Sequence, residues 1–233
     1  QFGEGKRDGI PGHQEIEIAL MRLYQATGKD SYRDMAKRFL DLRGQDPTYF
    51  KTHTPSHEGI KYGDYTIDPC DTAYNQTDVP VREQTRPRGH AVRCMYMLTA
   101  MADVARICED APMADACFRM FDAITRRQMY VTGALGATSV HEAFTTDWHL
   151  PADTVYGETC ASVAMAFFAR SLLLLEPDGR YADALERELY NGALSGMQLD
   201  GRRYFYVNPL EVDTQIAGMV PGYEHVLPQR PAW

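Results

Sequence analysis

The sequence has no hydrophobic run long enough to cross a membrane, because its longest apolar stretch, from Phe167 to Leu175, is interrupted by Arg170. It also lacks the excess of basic residues that nucleic acids and anionic membranes attract. Its 24 Lys and Arg stand against 32 Asp and Glu, for a net charge of −8. We therefore expect no membrane and no nucleic acid as partner. A neutral ligand such as a carbohydrate fits this charge.

Cysteine is scarce as well. The five cysteines of the 233 residues are scattered and odd in number, which is not the pattern of a small secreted domain held by disulfides. Their distribution favours a reducing compartment, and so a cytoplasmic location. The sequence opens with Gln1 instead of Met, so its start carries no information about a secretion signal.

Hydrophobic periodicity predicts three antiparallel helical hairpins, over residues 16–44, 88–124 and 157–194. Gly28 is predicted to end the first helix, and Ser31 to cap the second. After an Asp200–Gly201 turn, the aromatic residues of 203–207 predict a short β segment. The fold class is therefore mostly all-α.

Long polar loops separate the three hairpins, and such loops are unusual in a compact domain unless they are functional. Hairpins whose loops gather on one side predict an α/α toroid around a sugar-sized cleft. A closed toroid needs about six hairpins, and a half-ring leaves apolar flanks unpaired. We therefore expect residues 1–233 to be part of a larger toroidal domain.

The loop over residues 131–153 is the first candidate for chemistry. Glu142 stands there near the aromatic residues Phe144 and Trp148. Aromatic rings stack on sugar faces, and they are expected to desolvate the carboxyl and raise its pKa, which suits a general acid. The alternative is a solvated loop carboxylate, and composition alone favours that alternative.

A second candidate is the Glu158-Thr159-Cys160 segment at a predicted helix start. Glu158 and Cys160 offer zinc one oxygen and one sulfur ligand, but two ligands do not complete a tetrahedral site. The alternatives are a first-turn carboxylate that stabilises the helix dipole and a thiol packed in the core.

Three further side chains are expected to line the cleft. His13 and His90 stand at predicted helix starts, and Tyr206 stands in the predicted β segment. Helix starts and loop ends on one rim of a toroid converge on its centre, where such groups bind sugar hydroxyls. Ordinary capping or packing roles remain the alternative for each of them.

The same segments resemble glycoside hydrolase family 127. The resemblance is carried by GHQEIEIALMRLYQATG, REQTRPRGHAVR, VHEAF followed by ETCAS, and DGRYADALERELYNGALSGMQLDGRRYFYVNPLE, in that order along nearly the whole chain. It implies an (α/α)6-barrel catalytic domain of a bacterial enzyme. The activity implied is retaining hydrolysis of β-L-arabinofuranosides with a zinc-bound cysteine as nucleophile.

Carried over residue by residue, the resemblance makes Glu142 the acid/base, Glu158 and Cys160 zinc ligands, and His13, His90 and Tyr206 contacts of the arabinose. The other two zinc ligands are adjacent cysteines, one of them the nucleophile, in a segment expected after Trp233. The resemblance thus implies that residues 1–233 are a partial catalytic domain, inactive alone. N-terminal helices, the Cys-Cys segment and C-terminal β-domains would lie outside this sequence.

Two other readings of the sequence stay open. One is a different α/α-toroid carbohydrate enzyme, such as an epimerase or a lyase, which metal analysis would separate from a zinc enzyme. The other is a fragment that binds sugar without catalysis. A homodimer of the full-length protein is compatible with each of these readings.

Overall fold

The structure is a computed structural model, and it describes residues 2, 5–6, 9–53, 60–62, 65–68, 70–213 and 215. Seven α-helices are found in these residues: α1 (Ile16–Thr27), α2 (Asp30–Leu42), α3 (Tyr49–His53), α4 (Ala91–Cys108), α5 (Ala111–Arg127), α6 (Thr159–Leu175) and α7 (Gly179–Arg187). A two-stranded antiparallel hairpin joins β1 (Ile60–Tyr62) to β2 (Tyr65–Ile67). A π-helix, Glu188–Ala193, follows α7 directly.

The helices form three hairpins in two layers, as the periodicity predicts. Helix α4 packs against α1 on one side and α6 on the other, and these three helices pair with α2, α5 and α7. Helix α4 is buried along most of its length, with Met95, Met97, Leu98 and Met101 at 0% exposure. The mostly helical, toroid-like fold class is therefore confirmed.

The hairpin ends show where local sequence determines the helices. Gly28 ends α1 in the left-handed conformation, and its N–H donates to the Tyr24 carbonyl. Helix α5 begins after Asp110, whose carboxylate accepts the Met113 N–H. The prediction that Ser31 caps α2 was wrong, since the N-cap is Lys29 and Ser31 lies inside the helix.

The predicted β segment at 203–207 makes two isolated bridges and no regular ladder. Tyr204 bridges Met197, whereas Val207 bridges Glu158, in another part of the chain. The partner therefore changes along the segment, which prevents a continuous ladder. The bridge at Glu158 ties this segment to the start of α6.

Apolar side chains remain exposed on two helices of the layer that contains α4. These are Ile16 and Leu23 on α1, and Phe167 and Leu174 on α6, each pair seven residues apart and so on one helix face. Each of these two helices therefore presents an exposed apolar strip. None of the helices among the described residues has both the length and the apolar character needed to span a bilayer.

Candidate active site

Glu142 lies on a strained turn beside the start of α4. His141 and Glu142 both have positive φ, 60° and 51°, which residues other than glycine adopt at a cost of about 1–3 kcal/mol. Pairing around them fixes the turn, because Ala143 bridges both Thr138 and His90, and the Phe144 N–H donates to the Gly89 carbonyl. Strain maintained by such pairing is typical of functional sites.

Both oxygens of the Glu142 carboxylate have a partner. His90 Nε2 lies 2.9 Å from Oε2, and the Tyr156 hydroxyl donates to Oε1 at 2.9 Å. The Glu142 side chain is 24% exposed, so an oxygen-bearing ligand can still reach it. A carboxyl held by two donors and open to a ligand has the placement that acid/base chemistry requires.

The environment of Glu142 differs from the expectation. Burial raises the pKa of this carboxyl, but the His90 hydrogen bond and charge, with the Tyr156 hydrogen bond and the Arg93 charge, outweigh it, and the net pKa lies below its usual value. The predicted rise in pKa was therefore wrong. Phe144 is part of the main hydrophobic core, and Trp148 is 70% exposed. The aromatic partner of the carboxyl is instead Tyr156.

Glu158 and Cys160 form a second polar pair, at the start of α6. Glu158 is the N-cap residue and is 4% exposed. Burial raises the pKa of its carboxyl, and interaction with the Cys160 thiol and the Tyr206 hydroxyl opposes this rise. Its Oε2 is buried without a hydrogen-bond partner among the described residues. A buried, unsatisfied carboxylate oxygen beside a thiol suits a metal-ligand pair.

Both groups of this pair have raised pKa values. Burial, with the charge of neighbouring Glu158, raises the pKa of the Cys160 thiol to about 12. Burial likewise raises the pKa of Glu158. Both groups thus favour their neutral forms unless a cation is added. Within the described ranges, no group of three or more His, Cys, Asp or Glu side chains is placed to hold a metal. The assignment of Glu158 and Cys160 as zinc ligands therefore stays a prediction.

His13 lies next to His90 at the same rim. The two rings are 6.4 Å apart between centroids, and the Tyr96 ring lies 5.8 Å from that of His13. Burial and the nearby Arg93 lower the pKa of His13 to about 4, so the imidazole is neutral at pH 7. Its side chain is 42% exposed, whereas that of His90 is 9% exposed. His13 is thus the more accessible imidazole.

Tyr206 lies between the two acidic residues. It interacts with Glu158 and packs against Tyr156, which donates a hydrogen bond to Glu142. The Tyr206 ring lies 6.2 Å from the Tyr156 ring, edge to face. The Tyr206 carbonyl accepts the Thr159 N–H, which holds Tyr206 at the start of α6. The structure thus brings together all six residues singled out from the sequence: His13, His90, Glu142, Glu158, Cys160 and Tyr206. Tyr156 was missed, although it lies two residues before Glu158.

Comparison with known proteins places the chain in a family. Residues 2–221 match the family described as β-L-arabinofuranosidase, GH127 catalytic domain. The chain is 46% identical to a non-reducing end β-L-arabinofuranosidase of Bifidobacterium longum subsp. longum, over 99% of this chain and 35% of that protein. A GH127 β-L-arabinofuranosidase from Geobacillus stearothermophilus T6 superposes with a TM-score of 0.87 at 46% identity, over 100% of this chain and 36% of that one.

A sugar epimerase from a ruminal bacterium shares the fold alone. It superposes with a TM-score of 0.53 at 15% identity, over 86% of this chain and 48% of that one. The chain spans about a third of the length of the two arabinofuranosidases. The family model nevertheless matches residues 2–221, and the chain is 46% identical to both of these proteins. The chain belongs to the GH127 β-L-arabinofuranosidase family.

Proposed function

We propose that this chain provides part of the active site of a retaining β-L-arabinofuranosidase, with Glu142 as the acid/base. The observation that carries the proposal is the Glu142 carboxyl, held by His90 and Tyr156 on a strained turn and still open to a ligand. Family membership supports the substrate class, since the relatives named above are β-L-arabinofuranosidases.

In this proposal Glu142 protonates the leaving oxygen and then takes a proton from water. The lowered pKa of Glu142 suits the second step. The first step requires the protonated acid, which a sugar covering the exposed part of the carboxyl would favour by desolvation. His13, the accessible neutral imidazole, would bind a sugar hydroxyl together with Tyr206. His90 would bind sugar only through its small exposed part, and its main contact is Glu142.

We also propose that Glu158 and Cys160 hold zinc. The buried, unsatisfied Oε2 of Glu158 and the adjacent thiol support this assignment. Zinc bound there would supply positive charge that keeps a thiol ligand in its thiolate form. The nucleophile and the remaining ligands are proposed to be the adjacent cysteines of the family, outside this sequence. A cytoplasmic location and a homodimer stay predictions.

The test is Glu142→Gln in the complete natural protein. We expect turnover of a β-L-arabinofuranosyl disaccharide to fall about 10²–10⁴-fold, because its leaving group needs a proton. The first step with a p-nitrophenyl β-L-arabinofuranoside should be largely spared, since nitrophenolate leaves unprotonated. Glu186→Gln, at an exposed position in α7, is the matched control. Near-normal hydrolysis of the disaccharide by the Glu142 variant would contradict the assignment.

A further inference from the structure

Tyr156 is the buried side chain of the site to which nothing so far assigns a task. It is 6% exposed, and its hydroxyl donates to Glu142 Oε1 at 2.9 Å. A carboxylate can only accept hydrogen bonds, so the phenol is the donor in this pair. The phenol therefore binds Oε1, the Glu142 oxygen that His90 does not contact.

The backbone around Tyr156 is held firmly in place. Its carbonyl accepts the Asn208 N–H at 3.4 Å. The next residue, Gly157, has φ +51°, and a Cβ there would lie 3.0 Å from the Asn208 carbonyl oxygen. The Asn208 side chain donates to the Gly157 carbonyl at 3.0 Å and to Thr159 Oγ1 at 2.9 Å. Tyr156 is thus positioned by the same backbone that positions Glu158 and Tyr206.

Glu142 needs such positioning because its own backbone is strained. A left-handed turn at two consecutive non-glycine residues does not determine the side-chain rotamer by itself. His90 engages Oε2 only, which leaves the carboxyl free to rotate about that contact. The Tyr156 hydroxyl on Oε1 removes this freedom, since two donors from two different elements define the plane of the group.

We propose that Tyr156 is a positioning residue, which orients the Glu142 carboxyl and stabilises its ionised form so that the pH range of activity is set partly by this phenol. This inference rests on the proposed acid/base role of Glu142. Tyr156 does not need to touch the sugar to act in this way.

Other charged and titratable groups also face Glu142. Arg93 lies on α4 and His90 at its start. Tyr156 and Glu158 precede α6, Cys160 lies in its first turn, and Tyr206 comes from the segment that bridges Glu158. Only His90 and Tyr156 among the described residues hydrogen-bond to the carboxylate. Removing the phenol hydroxyl therefore takes away one of two direct stabilising contacts and leaves the surrounding charges unchanged.

The test is Tyr156→Phe, which keeps the ring and its contact with Tyr206. The matched control is Tyr130→Phe, because Tyr130 is 3% exposed in the same loop and donates to the Pro151 carbonyl, away from Glu142. In carbon-13-labelled chain, the Glu142 carboxyl resonance is assigned by its loss in Glu142→Gln. We expect its pKa to rise by about one unit in Tyr156→Phe and to stay in place in Tyr130→Phe.

In the complete natural protein, the first step needs protonated Glu142, so activity falls as pH rises past the pKa of this group. The basic limb of kcat/KM should therefore move up by about one pH unit in Tyr156→Phe, and kcat on the disaccharide should fall about 10-fold with little change in KM. An unmoved Glu142 titration, or a raised KM with an unmoved pH profile, would overturn the inference. A moved titration in a protein without arabinosidase activity would instead refute the proposed function and leave the contact in place.

Discussion

Gly89 forms the turn that places His90 in the site. It has φ +63°, and a Cβ added to it would lie 1.9 Å from the Ala73 carbonyl oxygen. Its own carbonyl accepts the Phe144 N–H at 2.9 Å, so one residue connects the 71–77 loop with the segment that follows Glu142. The backbone conformation and the lack of space both require glycine here.

Gly89→Ala is therefore expected to lower the free energy of unfolding by about 3 kcal/mol or more. The alanine would be strained in the left-handed conformation, and the Ala73 backbone would also have to move away from the added Cβ. Gly28→Ala is the control, since Gly28 has φ +68° but nothing lies within 4 Å of an added Cβ. The control should lose only the cost of the left-handed conformation, about 1 kcal/mol. Urea unfolding of both variants measures the difference, and equal losses would show that the close contact with Ala73 has no effect.

Single residues also show what the sequence could not reveal about the site. Spacing and loop composition indicated Glu142, Glu158 and Cys160 as candidates, and the family resemblance gave them roles. The Tyr156 contact could not be inferred, because residues 14 apart on an irregular loop have no periodicity that relates them. The direction of the Glu142 pKa also depended on this geometry. Nearby aromatic residues in the sequence suggested a rise, whereas His90 and Tyr156 lower it.

Among the helices, the start of α5 combines a cap with an ion pair. Asp110 accepts the Met113 N–H at 3.1 Å. Arg82, from the 3-10 helix Val81–Glu83, donates to both Asp110 oxygens, at 3.3 and 2.5 Å. The Arg82 hydrogen bond lowers the pKa of Asp110. This carboxylate thus joins α5 to the loop that leads into α4.

Asp110→Ala should lower the free energy of unfolding by about 2 kcal/mol at pH 7, because it removes the cap and one of the two carboxylate partners of Arg82, the other being Asp41. Asp110→Asn keeps a capping oxygen and should lose about half as much. Because the folded pKa is lowered, the ion-pair part of this stabilisation is fully present well above the unfolded value of 3.8, declines below it, and is lost as pH falls through the folded pKa. Thermal unfolding at pH 7 and pH 3 tests both points. A gap between wild type and Asp110→Ala that is as large at pH 3 as at pH 7 would contradict the ion-pair contribution.

Helix positions were easier to predict than helix types and ends. The three hairpins follow from apolar spacing that tertiary packing reinforces, as along α4. The return helix was expected to reach Leu194, but α7 ends at Arg187 and a π-helix follows. The two helix types differ by one residue in hydrogen-bond register, so apolar spacing over one turn does not separate them. The prediction of a β segment at 203–207 was incomplete for another reason. Its bridge partners, Met197 and Glu158, do not lie on one strand.

At the scale of the whole molecule, the π-helix places a buried acid where three parts of the chain meet. Glu188 is 0% exposed. Gly133 of the loop after α5 lies against it, with an added Cβ 3.2 Å from the carboxyl carbon. Ser162 of α6 faces the same carboxyl. Gly192 has no side chain, and the space that its Cβ would take is occupied by the side chains of Ser162 and Glu188. Burial raises the pKa of Glu188 well above its ordinary value of 4.5. Folding therefore favours the protonated acid.

This proton links the stability of the whole domain to pH. Because the folded pKa is raised, Glu188 contributes its full stability below pH 4.5 and loses it as pH rises above that value. Glu188→Gln has no such loss, so its free energy of unfolding relative to that of wild type should increase as pH rises from 4.5 to 8. Urea unfolding across this range gives the two curves, with Glu186→Gln as the exposed control from the preceding turn. Parallel curves for wild type and Glu188→Gln would mean that the buried acid does not take up a proton on folding.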